Sequence, residues 1–280
     1  MSAENALYTI LVEKIKQDAL VLPTLPEVAL EVRQAADDPE LNLSRMSDII
    51  SQDPALSLGM LKVANSVVFG RTIKVDSVSQ AVTRIGLRQI KSIATAMAVE
   101  QMFVSKTPLV AEYMAKSWNN TLDVATVAIA LMTLYLQKNK HAAFTLDTIT
   151  LAALIHNIGV LPILVEAEGH PEVFATPKFL QQAIIKFSNE IGGEVTKAWG
   201  FSEEFTEVVV SWNDLTILPK EVHYLDFIRA GAIYHEIFVS EKTRDILLNS
   251  YVKKGILPDV DFMASEEFGE LLAQVRTMFE

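Results

Sequence analysis

Cysteine is absent from this 280-residue chain, which removes disulfides, thiolate nucleophiles and Cys-based zinc sites together. Basic residues are in the minority: 24 Lys and Arg stand against 35 Asp and Glu, for a net charge of −11. Phosphate recognition rests on a positive surface, so this balance argues against a duplex DNA or RNA binder. A Walker-type glycine loop and a Gly-x-Ser-x-Gly elbow are both missing. So are alternating strand patterns, internal repeats and low-complexity runs. No run reads as a membrane span. Val124 to Leu136 is flanked by Asp123 and Lys138 and is too short to cross a bilayer. Thr148 to Val165 is interrupted by His156, Asn157, Gly159 and Pro162, so a buried core segment is expected there. Met1-Ser2-Ala3-Glu4-Asn5 lacks the basic start and apolar run of a signal peptide, and cytoplasmic placement is expected.

What is present is helical periodicity over almost the whole length. Leu7, Ile10, Leu11 and Ile15 follow three-four spacing. Asp53 and Pro54 read as N-cap and first helical position of a helix that buries Leu56, Met60, Val63 and Val67, with Gly59 allowing a neighbour close. Ser77 or Ser79 opens a helix ended by Gly86, and another runs from about Leu87 with Ile90, Ile93, Ala94 and Met97 inside. Lys106-Thr107-Pro108 is the best boundary, giving an N-terminal helical lobe over 1–105 and a helical bundle over 106–280. It opens a long helix with Met114, Trp118, Leu122, Ala125, Ile129 and Met132 on one face, ended by Asn139-Lys140-His141. Thr145 or Asp147 then caps the helix expected to carry His156; Thr176, Ser188, Ser202 and Ser265 read as further N-caps and Gly200 as a stop. The expected fold class is all-α.

One dipeptide carries the chemistry. His156-Asn157, in Leu154-Ile155-His156-Asn157-Ile158-Gly159, stands where a metal enzyme would want His-Asp. Adjacent His and Asp give a metal an imidazole and an anionic oxygen, whereas Asn offers a neutral carbonyl, a much poorer ligand. The stretch reads as the remains of a site.

Three segments carry a resemblance: Leu22-Pro23-Thr24-Leu25-Pro26-Glu27-Val28; Asp53-Pro54-Ala55-Leu56 continuing through Lys62-Val63-Ala64-Asn65-Ser66 to Phe69-Gly70; and Ile85-Gly86-Leu87-Arg88-Gln89-Ile90. At these residues the sequence resembles the HDOD family, signalling relatives of the HD-domain metal phosphohydrolases. The resemblance implies an N-terminal helical lobe packed on an HD-like helical bundle. A working HD site gathers several His and Asp side chains on one or two metals that activate water and clamp a phosphate. By resemblance those positions fall here on Asn120, His156, Asn157, Ser188, Trp212 and Asp226, leaving His156 and Asp226 as the surviving candidate ligands.

Plainer readings stand beside these. His156 in an apolar segment suits a core histidine bonded to backbone or to Asn157. Asp226 suits a helix-face charge or a partner for Arg229, and Asn120, Asn157 and Asp226 could form a buried polar network. Glu190 and Glu194 suit a solvated face, Gly192-Gly193 close packing, Asn65-Ser66 helix capping, and Arg84, Arg88 and Lys91 a solvated basic stripe. The leading expectation is a non-catalytic signalling module, with no catalytic residue, metal or cofactor. It would contact a protein partner, with neither nucleic acid nor membrane as target, and a patch around Asn65-Ser66-Val67-Val68-Phe69-Gly70 and Arg88 is the expected contact surface. The alternatives are a divergent HD-type metal-dependent phosphohydrolase and a small-molecule sensor using the vacated metal pocket.

Overall fold

The structure is a computed structural model describing residues 13–14, 17, 22–66, 68–69, 73–170, 177–237 and 241–279. The periodic segment at Leu7, Ile10, Leu11 and Ile15 lies outside the described residues, as do Val67, Gly70 and Thr176. The described elements are helices, with no strand among them: α1 (Glu27–Ala36), α2 (Leu43–Ser51), α3 (Pro54–Asn65), α4 (Val78–Ile85), α5 (Leu87–Glu100), α6 (Pro108–Lys138), α7 (Leu146–Ile155), α8 (Val160–Gly169), α9 (Pro177–Ala198), α10 (Glu203–Ser211), α11 (Tyr224–Tyr234), α12 (Glu241–Lys253) and α13 (Glu266–Arg276). The all-α class is therefore what the chain adopts.

Local chemistry explains most of the boundaries. The Asn42 side chain accepts from Arg45 N at the start of α2, and Asp53 accepts from Leu56 N at 2.9 Å ahead of Pro54 in α3. Ser77 and Ser265 cap α4 and α13 in the same way. Thr145 Oγ1 accepts from Thr148 N at 3.3 Å where α7 begins. Gly86 leaves α4 with φ +87, and Gly200 leaves α9 with φ +67, a region that costs non-glycine residues dearly. At the start of α6, Thr107 is joined by Glu168 of α8, whose Oε1 accepts from Ser105 Oγ at 2.7 Å and Lys106 N at 3.0 Å. Those bonds hold the Glu168 carboxyl below the usual carboxylate range.

Two expected boundaries differ. Ser188 lies inside α9 and does not cap a helix. His156 lies outside a helix, in the tight turn between α7 and α8. There Ile158 N bonds Ile155 O, Val160 N bonds Asn157 O and Leu161 N bonds Ile158 O. Pro162 supplies the reason, since it has no N–H for the Ile158 carbonyl and its ring would crowd that carbonyl in a continuous helix. In α8 it sits in the first turn, where no N–H is needed. Counted as one stretch, Leu146–Gly169 is long and apolar enough to cross a membrane, and 83% of its most apolar window is buried inside the protein.

The chain divides into two compact units that interleave along it, with α6 split between them after Thr121. One comprises residues 1–24, 100–121 and 155–215; the other comprises 25–99, 122–154 and 216–280. Within the first, α8 and α10 both pack on α9. Within the second, α1 to α4 form one cluster. Its other cluster centres on the rings of Tyr135, Phe144, Tyr224 and Phe227, in edge or tilted contact at 5.0 to 6.4 Å.

Candidate functional site

Within the first unit, the turn carrying His156 is pressed onto the middle of α9. A Cβ on Gly159 would stand 1.8 Å from the Ser188 carbonyl oxygen and 2.5 Å from Gly192 N, so only glycine fits. On α9 itself, Gly192 faces Val209 and Gly193 faces Val210 of α10, where a Cβ would meet a valine methyl at 2.5 and 2.7 Å. The expected close packing at Gly192-Gly193 is present. The His156 ring, 2% exposed, meets the Trp212 indole edge-on with centroids 4.6 Å apart. Trp212 follows the last residue of α10 and is itself buried.

Asn157 is half-buried, and its backbone carbonyl accepts from Val160. Asn120 is half-buried on α6, two residues beyond Trp118. That tryptophan donates to Glu100 Oε1 at 3.3 Å and meets the Phe103 ring at a tilt, with centroids 5.3 Å apart. Ser188 is buried, with its carbonyl facing Gly159. Asn189, which the sequence reading passed over, stitches α9 to the end of α10: its Nδ2 donates to Val210 O at 2.9 Å and to Asn213 Oδ1 at 2.5 Å. The motif segment at Pro23 is held in this unit too, its carbonyl accepting from Trp199 Nε1 at 2.7 Å.

Asp226 belongs to the second unit, in the first turn of α11. It is 3% exposed, so the expected helix-face charge is corrected: this carboxylate is interior. Lys254, just past the end of α12, donates to both oxygens at 2.9 and 2.8 Å and to the Pro219 carbonyl at 2.8 Å. The His223 backbone N–H donates to Asp226 Oδ2 at 2.9 Å, while His223 Nδ1 accepts from Leu225 N at 3.2 Å; the two side chains form a reciprocal cap on α11. Burial pushes the Asp226 carboxyl up, against the opposing pull of Lys254 and His223. Tyr251, one turn before Lys254, is buried, its phenol pushed well up by burial and by Asp226. Arg229 donates to the Ile217 carbonyl at 2.7 Å. The sequence reading missed Lys254, because Lys253-Lys254-Gly255 has the look of an ordinary basic helix end.

Two residues of the middle motif segment, Asn65 and Ser66, make local bonds. Asn65 treats Val75 as a strand partner would, donating to its carbonyl at 2.8 Å and accepting from its N–H at 2.9 Å. Ser66 Oγ caps Val63 O at 2.7 Å. Glu194 is exposed and pairs with Lys197, in keeping with a solvated face. Among the described residues, no three His, Asp or Glu side chains converge as a metal ion would require.

Comparison with known proteins agrees with this architecture. A solved structure from Shewanella amazonensis SB2B, named as a candidate metal-dependent phosphohydrolase, is 42% identical with TM-score 0.94, and the match covers 100% of both chains. An HDOD domain protein of unknown function from Geobacter sulfurreducens is 19% identical with TM-score 0.64, covering 96% of this chain and 97% of that one; it shares the fold. An uncharacterized protein of Treponema pallidum (strain Nichols) is 24% identical over 212 residues, 71% of this chain. The chain spans 39% of that relative's length. The sequence pattern of the HDOD domain matches residues 22–214, more than half of the molecule. With the match spanning all three motif segments and the helices around His156, the chain belongs to the HDOD domain family.

Proposed function

We propose that this protein is a cytoplasmic HDOD regulatory module of bacterial signal transduction, acting by binding a partner protein through a fold whose HD site is degenerate. The observation that carries the reading is the engagement of Asp226. Both of its oxygens face the Lys254 ammonium, and one also accepts a backbone N–H. A divalent ion there would have to displace a cation already held in place by the Pro219 carbonyl. The other remnant positions are poor donors: Asn120 and Asn157 offer neutral carbonyls, Ser188 a hydroxyl, and Trp212 none. The His156 ring is turned edge-on to an indole. A catalytic zinc or manganese site needs three or more strong donors, and this set does not fit one. Regulation by protein contact is then the activity that the resemblance implies for a fold without the metal.

The name given to the Shewanella amazonensis protein favours a second reading, a metal-dependent phosphohydrolase. Thermal unfolding of the metal-stripped chain with and without millimolar manganese or magnesium separates the two. A metal at a hundred times its dissociation constant would stabilise the fold by about 2.7 kcal/mol, a shift of a few degrees for a chain of this size. The expected result is no shift with either ion and no hydrolysis of bis(p-nitrophenyl) phosphate. A shift abolished by His156→Ala, together with phosphodiester hydrolysis, would establish the phosphohydrolase instead.

A further inference from the structure

The stretch from Pro54 to Val99 departs from the rest of the chain in charge. It carries six basic side chains (Lys62, Arg71, Lys74, Arg84, Arg88 and Lys91) against one acidic, Asp76, in a chain of net charge −11. Lys91 and Arg84 are held in different ways. Lys91 is answered by the Asp37 carboxylate at 2.5 and 2.7 Å. Arg84 is answered by neutral groups: Nη1 donates to the Ala64 carbonyl at 3.2 Å and Nη2 to the Ile73 carbonyl at 2.6 Å. Among the described residues, no carboxylate pairs with Arg84. The guanidinium is thus oriented while its charge stays uncompensated. The Asn65 clamp on Val75 fixes the same segment from the other side. Beside it lies a depression of about 380 Å³ lined by Val75, Ser79, Gln80, Thr83 and Arg84. Ile73, whose carbonyl Arg84 holds, is 77% exposed.

We infer that this depression receives a Glu or Asp side chain from an acidic segment of the partner protein. The carboxylate meets Arg84, the hydroxyls and amide of Ser79, Thr83 and Gln80 line its approach, and Ile73 gives an apolar neighbour of the acidic residue a surface to cover. The inference rests on the proposed function and names the chemistry of its partner. Arginine suits a carboxylate because its planar fork presents paired donors, and a guanidinium already fixed loses little freedom on binding. A short acidic peptide is favoured over nucleic acid or an anionic membrane by charge. Those polyanions extend far beyond a Debye length of about 8 Å and would meet the field of an acidic protein, whereas one or two carboxylates interact only with the local basic excess.

The test is a nuclear magnetic resonance titration of the isotope-labelled full chain with the acetylated, amidated peptide Glu-Ile-Glu-Leu-Glu, with its Gln counterpart, and with inorganic phosphate. Saturable shifts of the Ser79, Gln80 and Thr83 amides and of Arg84 Nε–H are expected with the Glu peptide, and at least tenfold weaker binding with the Gln peptide. Thr83→Glu sets a negative charge in the depression and leaves both bonds of Arg84 in place. It should weaken the Glu peptide at least tenfold with an unchanged melting temperature. Equal binding of the Gln peptide, no saturable shift at millimolar peptide, or phosphate binding at these residues as tightly as the peptide would each overturn the inference. The manganese arm of the unfolding experiment keeps the two proposals apart. A metal shift that His156→Ala abolishes, with phosphodiester hydrolysis, fails the non-catalytic reading whatever the peptide does, and absent peptide binding without that result fails this inference alone.

Discussion

Lys254 and Asp226, 28 residues apart, form a buried ion pair whose side chains are only 10% and 4% exposed. Breaking such a pair from one side leaves an uncompensated charge in the interior, so Lys254→Met should destabilise the protein by about 3–5 kcal/mol in urea unfolding. The sign of the pH dependence follows from the direction of the Asp226 shift. Its carboxyl is raised in the folded state by burial, so the stability it contributes is present in acid and lost as pH rises through the folded value. Removing Lys254 takes away an opposing pull and raises it further. The deficit of Lys254→Met relative to the parent should therefore be widest at neutral pH and narrow in mild acid, where Asp226 takes up a proton. A deficit independent of pH would show that the lysine acts through packing alone. Adding Asp226→Asn should recover much of the loss, because no buried charge is then left without a partner.

At the scale of elements, helix contacts are set by what each glycine faces. The Gly159 turn touches backbone of α9, Gly231 of α11 touches the Val124 carbonyl of α6 at 2.5 Å from a built Cβ, and Gly59 of α3 touches the end of Met97. Backbone cannot move aside, whereas a methionine methyl can turn to another rotamer. Gly159→Ala and Gly231→Ala should each cost about 3 kcal/mol or more, as overpacking of a rigid contact does. Gly59→Ala should stay within about 1 kcal/mol of the parent, since alanine's helix propensity offsets the displaced methyl. Denaturant midpoints of the three variants check the order, and a Gly59→Ala deficit equal to that of Gly159→Ala would contradict it. Sequence spacing marked Gly59 and Gly192-Gly193 as close approaches, but it could not say which neighbour was hard and which was soft.

For the whole molecule, the family match ends at residue 214 while the fold of the second unit does not. Residues 216–280 supply Leu225, Phe227, Ile228, Tyr251 and Phe268 to its core, all of them nearly or fully buried. Cutting after residue 215 would take Phe227 from Tyr135 and both Tyr224 and Phe227 from Phe144, leaving these two rings only each other, and would leave Val124 without α11. At about 25 cal/mol per Å², exposing about 400 Å² of apolar surface already costs about 10 kcal/mol, the whole stability of a typical domain. The fragment 1–215 should therefore lose near-ultraviolet circular dichroism and cooperative unfolding while keeping helical far-ultraviolet signal. A cooperative transition in that fragment would show that the family-matched region folds independently of the last helices.

Much of this was legible in the chain itself. Helix class and most boundaries are local properties: Asp53 before Pro54, Ser77, Ser265, Gly86 and Gly200 act through bonds and torsions within a turn of their own position, so sequence determines them directly. Met114, Trp118, Leu122, Ala125, Ile129 and Met132 are all buried on α6, as 3.6-residue periodicity requires, whereas the burial of Val124, Val127, Ala128, Ala130 and Leu131 on its other faces comes from tertiary packing. Tertiary structure alone decided the rest. Ser188 carries a capping residue's chemistry yet lies mid-helix, because the helix around it is held by packing on α8 and α10. Asp226 could be read as surface charge or metal ligand until Lys254, far along the chain, was brought against it. Burial and long-range pairing depend on where distant segments meet, and no local pattern of residue types encodes that meeting.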